Sequence, residues 1–195
     1  VDEPARSAPR GDGILGGPDL AARLDAWVAA ARSDAAAASR ARERWLRVQA
    51  DESASFAGVL VDLAEAATPV VIHGCAGRRH RGTIAAVASD FCALTRPSGR
   101  DVLLAYSGIG SIRPDPRGPA PTGDRVVHAD LGLAEMLAVL VADRPRVLVV
   151  TGADAEGPAG ELRAVGRDVV TLKLDGDPRA TAYVAVDAIA EVSLV

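Results

Sequence analysis

The chain has 195 residues, enough for one ordinary domain or two small ones, and its six aromatic residues leave the core to Val, Leu, Ile and Ala. A net charge of −4 argues against a general coat for nucleic acid. Two cysteines offer no disulfide framework, and no run of 18 apolar residues offers a membrane-spanning helix.

Residues 1–18 are polar and rich in Pro and Gly, without the apolar stretch of a signal peptide, so a disordered tail on a cytoplasmic protein is expected. Asp19 can cap a helical segment over 19–50, in which Leu20, Leu24, Trp27, Val28 and Ala31 recur at three-to-four spacing. The Ala-rich stretch 35–41 favours helix by propensity. From Arg40 to Val48, basic side chains alternate with Trp45, Leu46 and Val48. That pattern suits a solvated helix packing its apolar stripe on a partner or, alternatively, a helix that meets nucleic acid. A second helix is expected to start near Ser53 or Ser55 and to end before Pro69, burying Phe56, Leu60, Leu63 and Ala64. A third, over roughly 130–142, carries a stripe of Leu133, Met136, Leu137 and Leu140.

Each of the last two helices precedes five short runs rich in Val, Ile, Leu and Thr. The first set reads as strands 70–75, 82–88, 91–96, 102–106 and 110–113; the second as 146–151, 160–166, 169–174, 181–186 and 189–194. Gly, Pro and Asp separate them. Five such strands in a flat sheet leave much apolar surface wet, and curling into a small barrel with the helix at one end hides the inner row. The expected fold class is therefore mainly β with α: two five-stranded barrels, over 53–113 and 125–195, each headed by a helix. The stretch 114–124, with four prolines, reads as a stiff linker between them.

The two sets are copies. Residues 82–94 align with 160–172 without a gap, and Gly82, Ala86, Val87, Asp90 and Leu94 recur as Gly160, Ala164, Val165, Asp168 and Leu172. Pro69 and Pro145 stand a similar distance upstream, and Ile109 and Ile112 match Ile189 and Val192 downstream. A repeat of about 75 residues is too long for a solenoid unit and reads as a duplicated small domain. Gly at a strand start, an apolar residue two later (Ile84, Leu162) and Asp at the next turn follow the order of a known motif. On these residues the chain resembles the bacterial Sm/Lsm-like proteins, Hfq-type chaperones included, and uncharacterised actinobacterial proteins with a Val-Gly-x-Asp turn such as Val165 to Asp168. The resemblance implies tandem small barrels that associate through strand edges, with Gly82, Asp90, Gly160 and Asp168 as structural motif residues. At the place of the Lys-His pair of Hfq-type members this chain has Tyr106-Ser107-Gly108 in one copy and Val186-Asp187-Ala188 in the other.

Charge is uneven between the copies. Residues 69–113 hold six arginines against two aspartates, whereas 144–195 hold six basic and eight acidic side chains. Arg78, Arg79, His80 and Arg81 form the densest basic cluster, suited to phosphate contacts or to a solvated turn. His73, Cys75 and His80 suggest a metal or thiol centre, but four ligands or an orienting acid are missing, so neither metal nor cofactor is expected. The stretch 148–160 and the run from Tyr106 to Gly110 mimic glycine-rich nucleotide loops without the helix that must follow. The sequence thus points to a non-enzymatic, self-associating scaffold or protein-binding module, a homo-oligomer (dimer or ring) built through strand edges and the N-terminal helix. The alternatives are an RNA- or DNA-binding regulator using Arg78, Arg79, His80 and Arg81, and an enzyme centred on His73 and Cys75.

Overall fold

The Ala-rich N-terminal segment forms one helix, α1 (Pro18–Ser53), as its propensity predicts. The structure is a computed structural model that describes residues 18–152, 156–176 and 180–195, so the tail expected over 1–18 lies, apart from Pro18, outside the described residues. The chain divides into two compact units, one running to Gln49 and the other from Ala50 to Val195. In the first unit the stripe of Leu20, Leu24, Trp27, Val28, Trp45, Leu46 and Val48 is exposed.

The second unit starts its helix α2 (Phe56–Glu65) at Ser55, whose extended backbone lets the hydroxyl accept the Gly58 N–H at 2.9 Å. Five strands follow: β1 (Pro69–Gly74), β2 (Arg79–Val87), β3 (Phe91–Thr95), β4 (Asp101–Ala105) and β5 (Ile109–Pro114). After an irregular segment come α3 (Leu133–Leu140), β6 (Arg146–Thr151), β7 (Ala159–Val165), β8 (Val169–Leu174), β9 (Thr181–Ala185) and β10 (Ile189–Leu194). Each strand anticipated from the sequence has a counterpart.

Their pairing differs from expectation. Among the described residues the ten strands form one antiparallel sheet in the order β5-β1-β2-β3-β4-β10-β6-β7-β8-β9. No pair of closed five-stranded barrels exists, so the Sm/Lsm-like, Hfq-like resemblance does not extend to the architecture. The scaffold or binding-module role that rested on tandem barrels loses its basis as well. The reason lies in β4 and β10. A barrel needs β4 to curl back onto β5; instead β4 pairs with β10, with Leu104, Leu103 and Val102 opposite Glu191, Val192 and Ser193. Four of the five residues of β4 and five of the six of β10 are buried. Strands covered on both faces belong in the middle of a sheet, which leaves β5 and β9 at its edges.

Side chains alternate between the faces of a strand, and β4 uses the alternation to serve two cores. Val102 and Leu104 join Leu60 and Leu63 of α2, Val70, Ile72, Ile84, Cys92 and Leu94. Leu103 and Ala105 join Phe91, Leu133 and Leu137 of α3, and Val147, Leu162, Leu172 and Val192. The first copy thus supplies part of the second copy's core.

The motif residues have structural roles. A Cβ on Gly82 would press on the Thr95 carbonyl oxygen, and one on Gly160 on that of Lys173. In both copies the register then shifts by one residue, between Ile84 and Ala86 and between Leu162 and Ala164. The Asp90 carbonyl accepts the Tyr106 N–H and the Asp168 carbonyl the Val186 N–H, at 2.8 and 2.9 Å. Their carboxylates differ. The Gly132 before α3 has no side chain to cap it, and Asp90 of the first copy takes that place, accepting the Leu133 N–H at 2.8 Å. Asp168 is exposed. No helix among the described residues is long and apolar enough to cross a membrane.

Replacing Asp90 with Ala removes a helix cap that also ties the copies together. Urea unfolding should show a loss of about 1 kcal/mol, against less than about 0.5 kcal/mol for Asp168→Ala.

Candidate anion-binding site

A carboxylate inside an apolar strand needs partners, and Glu191, 4% exposed within β10, has several. Because Glu191 stands opposite Leu104, it shares the face that carries the first copy's core. His80 on β2 stands opposite Ile72 and faces the same core. Arg78, just before β2, makes a two-point contact: its Nε donates to Glu191 Oε2 at 2.7 Å and its Nη2 to Oε1 at 2.9 Å. The Ser193 hydroxyl donates to Oε1 at 2.6 Å, and Arg96 Nη2 lies 3.5 Å from that oxygen while donating to Ser193 Oγ at 3.0 Å.

Arg96 Nη2 also stands 3.3 Å from His80 Nδ1. A guanidinium only donates, so Nδ1 accepts and the ring hydrogen sits on Nε2. That nitrogen lies 2.9 Å from Glu191 Oε2, close in distance but poorly aligned for a hydrogen bond. Burial alone pushes the Glu191 carboxyl up, but its contacts with His80, Arg78 and Ser193 outweigh burial and hold it at about 2. The same carboxylate raises the Arg78 guanidinium.

Around this anchored group lies a depression of about 370 Å³ lined by Arg78, Arg79, His80, Arg81 and Arg96. The four residues singled out from the sequence therefore come together, though not as equals. His80 is buried and half of Arg78's task is internal, whereas Arg79 and Arg81 are exposed and in no ion pair among the described residues. Strand alternation explains the split, since 79 and 81 share one face of β2 and 80 the other. Sequence reasoning missed Arg96, Glu191 and Ser193. The available signal was Glu191 itself, a lone acid in the run from Ile189 to Leu194 at the position where the first copy has Ser111.

The metal or thiol centre is not assembled. His73 stands opposite Arg79 and hence on the other face from His80. Cys75 lies in a 3-10 turn (Cys75–Gly77), where its thiol donates to the Ser107 carbonyl at 3.7 Å. No group of three or more His, Cys, Asp or Glu side chains placed to hold a metal ion occurs among the described residues. The glycine-rich stretch after β6 leads into strand β7, not a helix. No protein family, curated protein or solved structure matches the chain.

Glu191 has a lower pKa in the folded chain than its ordinary 4.5, so its stabilising contribution is complete above about pH 4.5 and is lost as pH falls toward about 2. Acid titration of stability should show a smaller loss across that window in Glu191→Gln than in the parent. At neutral pH, Glu191→Ala should cost about 3–5 kcal/mol, because it leaves Arg78 and Arg96 facing a buried gap. An acid response unchanged in Glu191→Gln would show that the cluster does not hold the two copies together.

Proposed function

We propose that this protein binds nucleic acid non-covalently, through backbone phosphates held at the Arg78, Arg79, His80 and Arg81 cluster with Arg96. The observation that carries this reading is a depression lined by four guanidinium groups, two of which, Arg79 and Arg81, are exposed and in no ion pair among the described residues, in a chain whose net charge is −4. Arg79 and Arg81 supply the mobile contacts, and Glu191 fixes Arg78 and Arg96 as the rigid wall behind them. Phosphate contacts of this kind position a nucleic acid without reading its sequence. The reading requires no covalent chemistry. It places the protein in the cytoplasm, where free cysteines such as Cys75 and Cys92 are ordinary.

A second reading concerns a partner of the same kind. The exposed stripe of α1 is longer than a surface helix ordinarily leaves wet. We propose that it covers itself against α1 of a second copy, antiparallel. The N-terminal half (18–35) carries three aspartates and two arginines, a net −1, and the C-terminal half (36–53) carries Arg40, Arg42, Arg44 and Arg47 against Glu43, Asp51 and Glu52, a net +1. An antiparallel pair sets these halves side by side, whereas a parallel pair stacks the arginines. The open edges β5 and β9 offer further unpaired backbone groups to another copy.

Binding of labelled single-stranded RNA and DNA should weaken steeply with salt. The slope of log affinity against log salt should become shallower by roughly two in the Arg79→Ala, Arg81→Ala double variant. Unchanged affinity and slope would remove the phosphate reading. For the helix, light scattering at micromolar concentration should give a dimer that Trp27→Asp with Trp45→Asp converts to monomer; a monomeric parent would remove that reading.

A further inference from the structure

A groove of about 560 Å³ opens beside the basic depression and shares Arg81 and Arg96 with it. Its size lies within the range of roughly 300–1,000 Å³ usual for small-molecule sites. The sheet register fixes its floor. Val71 on β1 stands opposite Arg81 on β2 and opposite Arg113 on β5. Directly opposed residues share a face, so these three form one row across three strands: a cation, an apolar side chain and a second cation. Neighbouring strands lie about 4.8 Å apart, which sets the two arginine stems about 10 Å from each other. Pro69 and Thr83 form the next row on the same face. Arg81 and Arg113 are exposed and, like Arg79, in no ion pair among the described residues, while Val71 is half-buried between them.

An occupant must match an apolar strip flanked by Arg81 on one side and by Arg113 on the other, with the Asp115 carboxylate closing the groove beyond Arg113 beside Pro69. An acyl chain with one anionic head fits one arginine and leaves the other without a partner. A single-stranded nucleic acid fits both, because its bases are flat apolar plates strung between phosphates. Guanidinium planes also stack on bases. We propose that this groove is a base-binding subsite, in which a nucleobase lies on Val71 and Pro69 between Arg81 and Arg113 while the neighbouring phosphates lie along Arg79, Arg81 and Arg96. The proposal rests on the nucleic-acid reading above and adds to it a preference for unpaired, base-bearing strands over bare phosphate chains. A duplex keeps its bases stacked inside and cannot use the groove.

The test compares the full chain's affinity for an oligodeoxythymidine of about ten nucleotides with that for an abasic deoxyribose-phosphate strand of equal length, at one salt concentration. A seated base should favour the base-bearing strand by about tenfold. Val71→Thr keeps the shape and strand propensity of the side chain, and should shrink that ratio without changing the abasic affinity. Arg113→Ala, which lies outside the basic depression, should shrink it as well. Equal affinity for the two strands would overturn the subsite while leaving the phosphate reading in place. A tenfold ratio that neither variant alters would also overturn it, and no binding to either strand would overturn both readings.

Discussion

The architecture depends on a single strand pairing, that of β4 with β10. Through it Val102 and Leu104 reach one core while Leu103 and Ala105 reach the other, so the second copy has no complete interior without the first. The same register carries Glu191 and Ser193 of the second copy onto the face of the first, where Arg78, His80 and Arg96 receive them. An unpaired carboxylate at this depth would cost several kcal/mol. The pairing and the polar cluster are therefore one constraint: sliding β10 by one residue turns Glu191 toward Leu137 and Val147 and takes Val192 out of that core. A buried ion cluster adds little net stability over an apolar replacement. Here it sets register, and a second cross-copy contact, Asp90 on the N-terminus of α3, acts in the same direction.

Much of the local structure was legible in the sequence and the long-range pairing was not. Ten strands and the helices α2 and α3 follow from β-branched runs, from Gly and Pro punctuation and from three-to-four spacing, which are properties of a few adjacent residues. The duplication was visible because Gly82 and Gly160 answer the same close approach of a neighbouring carbonyl. The barrels failed because strand composition does not specify a partner. Residues 102–105, Val-Leu-Leu-Ala, are apolar without alternation, which is the mark of a strand covered on both faces. A strand of a small barrel with one face in solvent would alternate. The site was half legible for a related reason: Arg78 to Arg81 are contiguous, while Arg96 and Glu191 join them only through the fold.

The buried cluster also sorts the basic residues by task. Glu191 neutralises one positive charge and immobilises two guanidinium groups, so Arg78 and Arg96 present fixed donors at the wall of the depression. A fixed donor loses less conformational freedom when a ligand arrives than a mobile one does. Arg79 and Arg81 on β2 and Arg113 on β5 stand on the opposite face, in no ion pair among the described residues. The result is a surface with a rigid corner and a flexible row, joined at Arg81.

The second copy shows what this arrangement replaced. Aligned on the repeat, Arg79 corresponds to Gly157, Arg81 to Ala159, Arg96 to Leu174 and Arg113 to Ser193. Every cation of the row is lost, yet Val71 keeps an apolar counterpart in Leu148, which stands opposite Ala159 and Ser193 as Val71 stands opposite Arg81 and Arg113. Conversely, Ser111 of the first copy lies on the edge strand β5, while its counterpart Glu191 holds the interior pairing. Duplication supplied two similar frames, and position in the sheet separated them. The copy whose fifth strand is internal, β10, spends that strand on register and cohesion. The copy whose fifth strand is an edge, β5, has Arg113 in solvent beside Val71 and Arg81. The counterpart of Arg113, Ser193, is instead buried in the pairing of β10 with β4, where it bonds to Glu191 and Arg96.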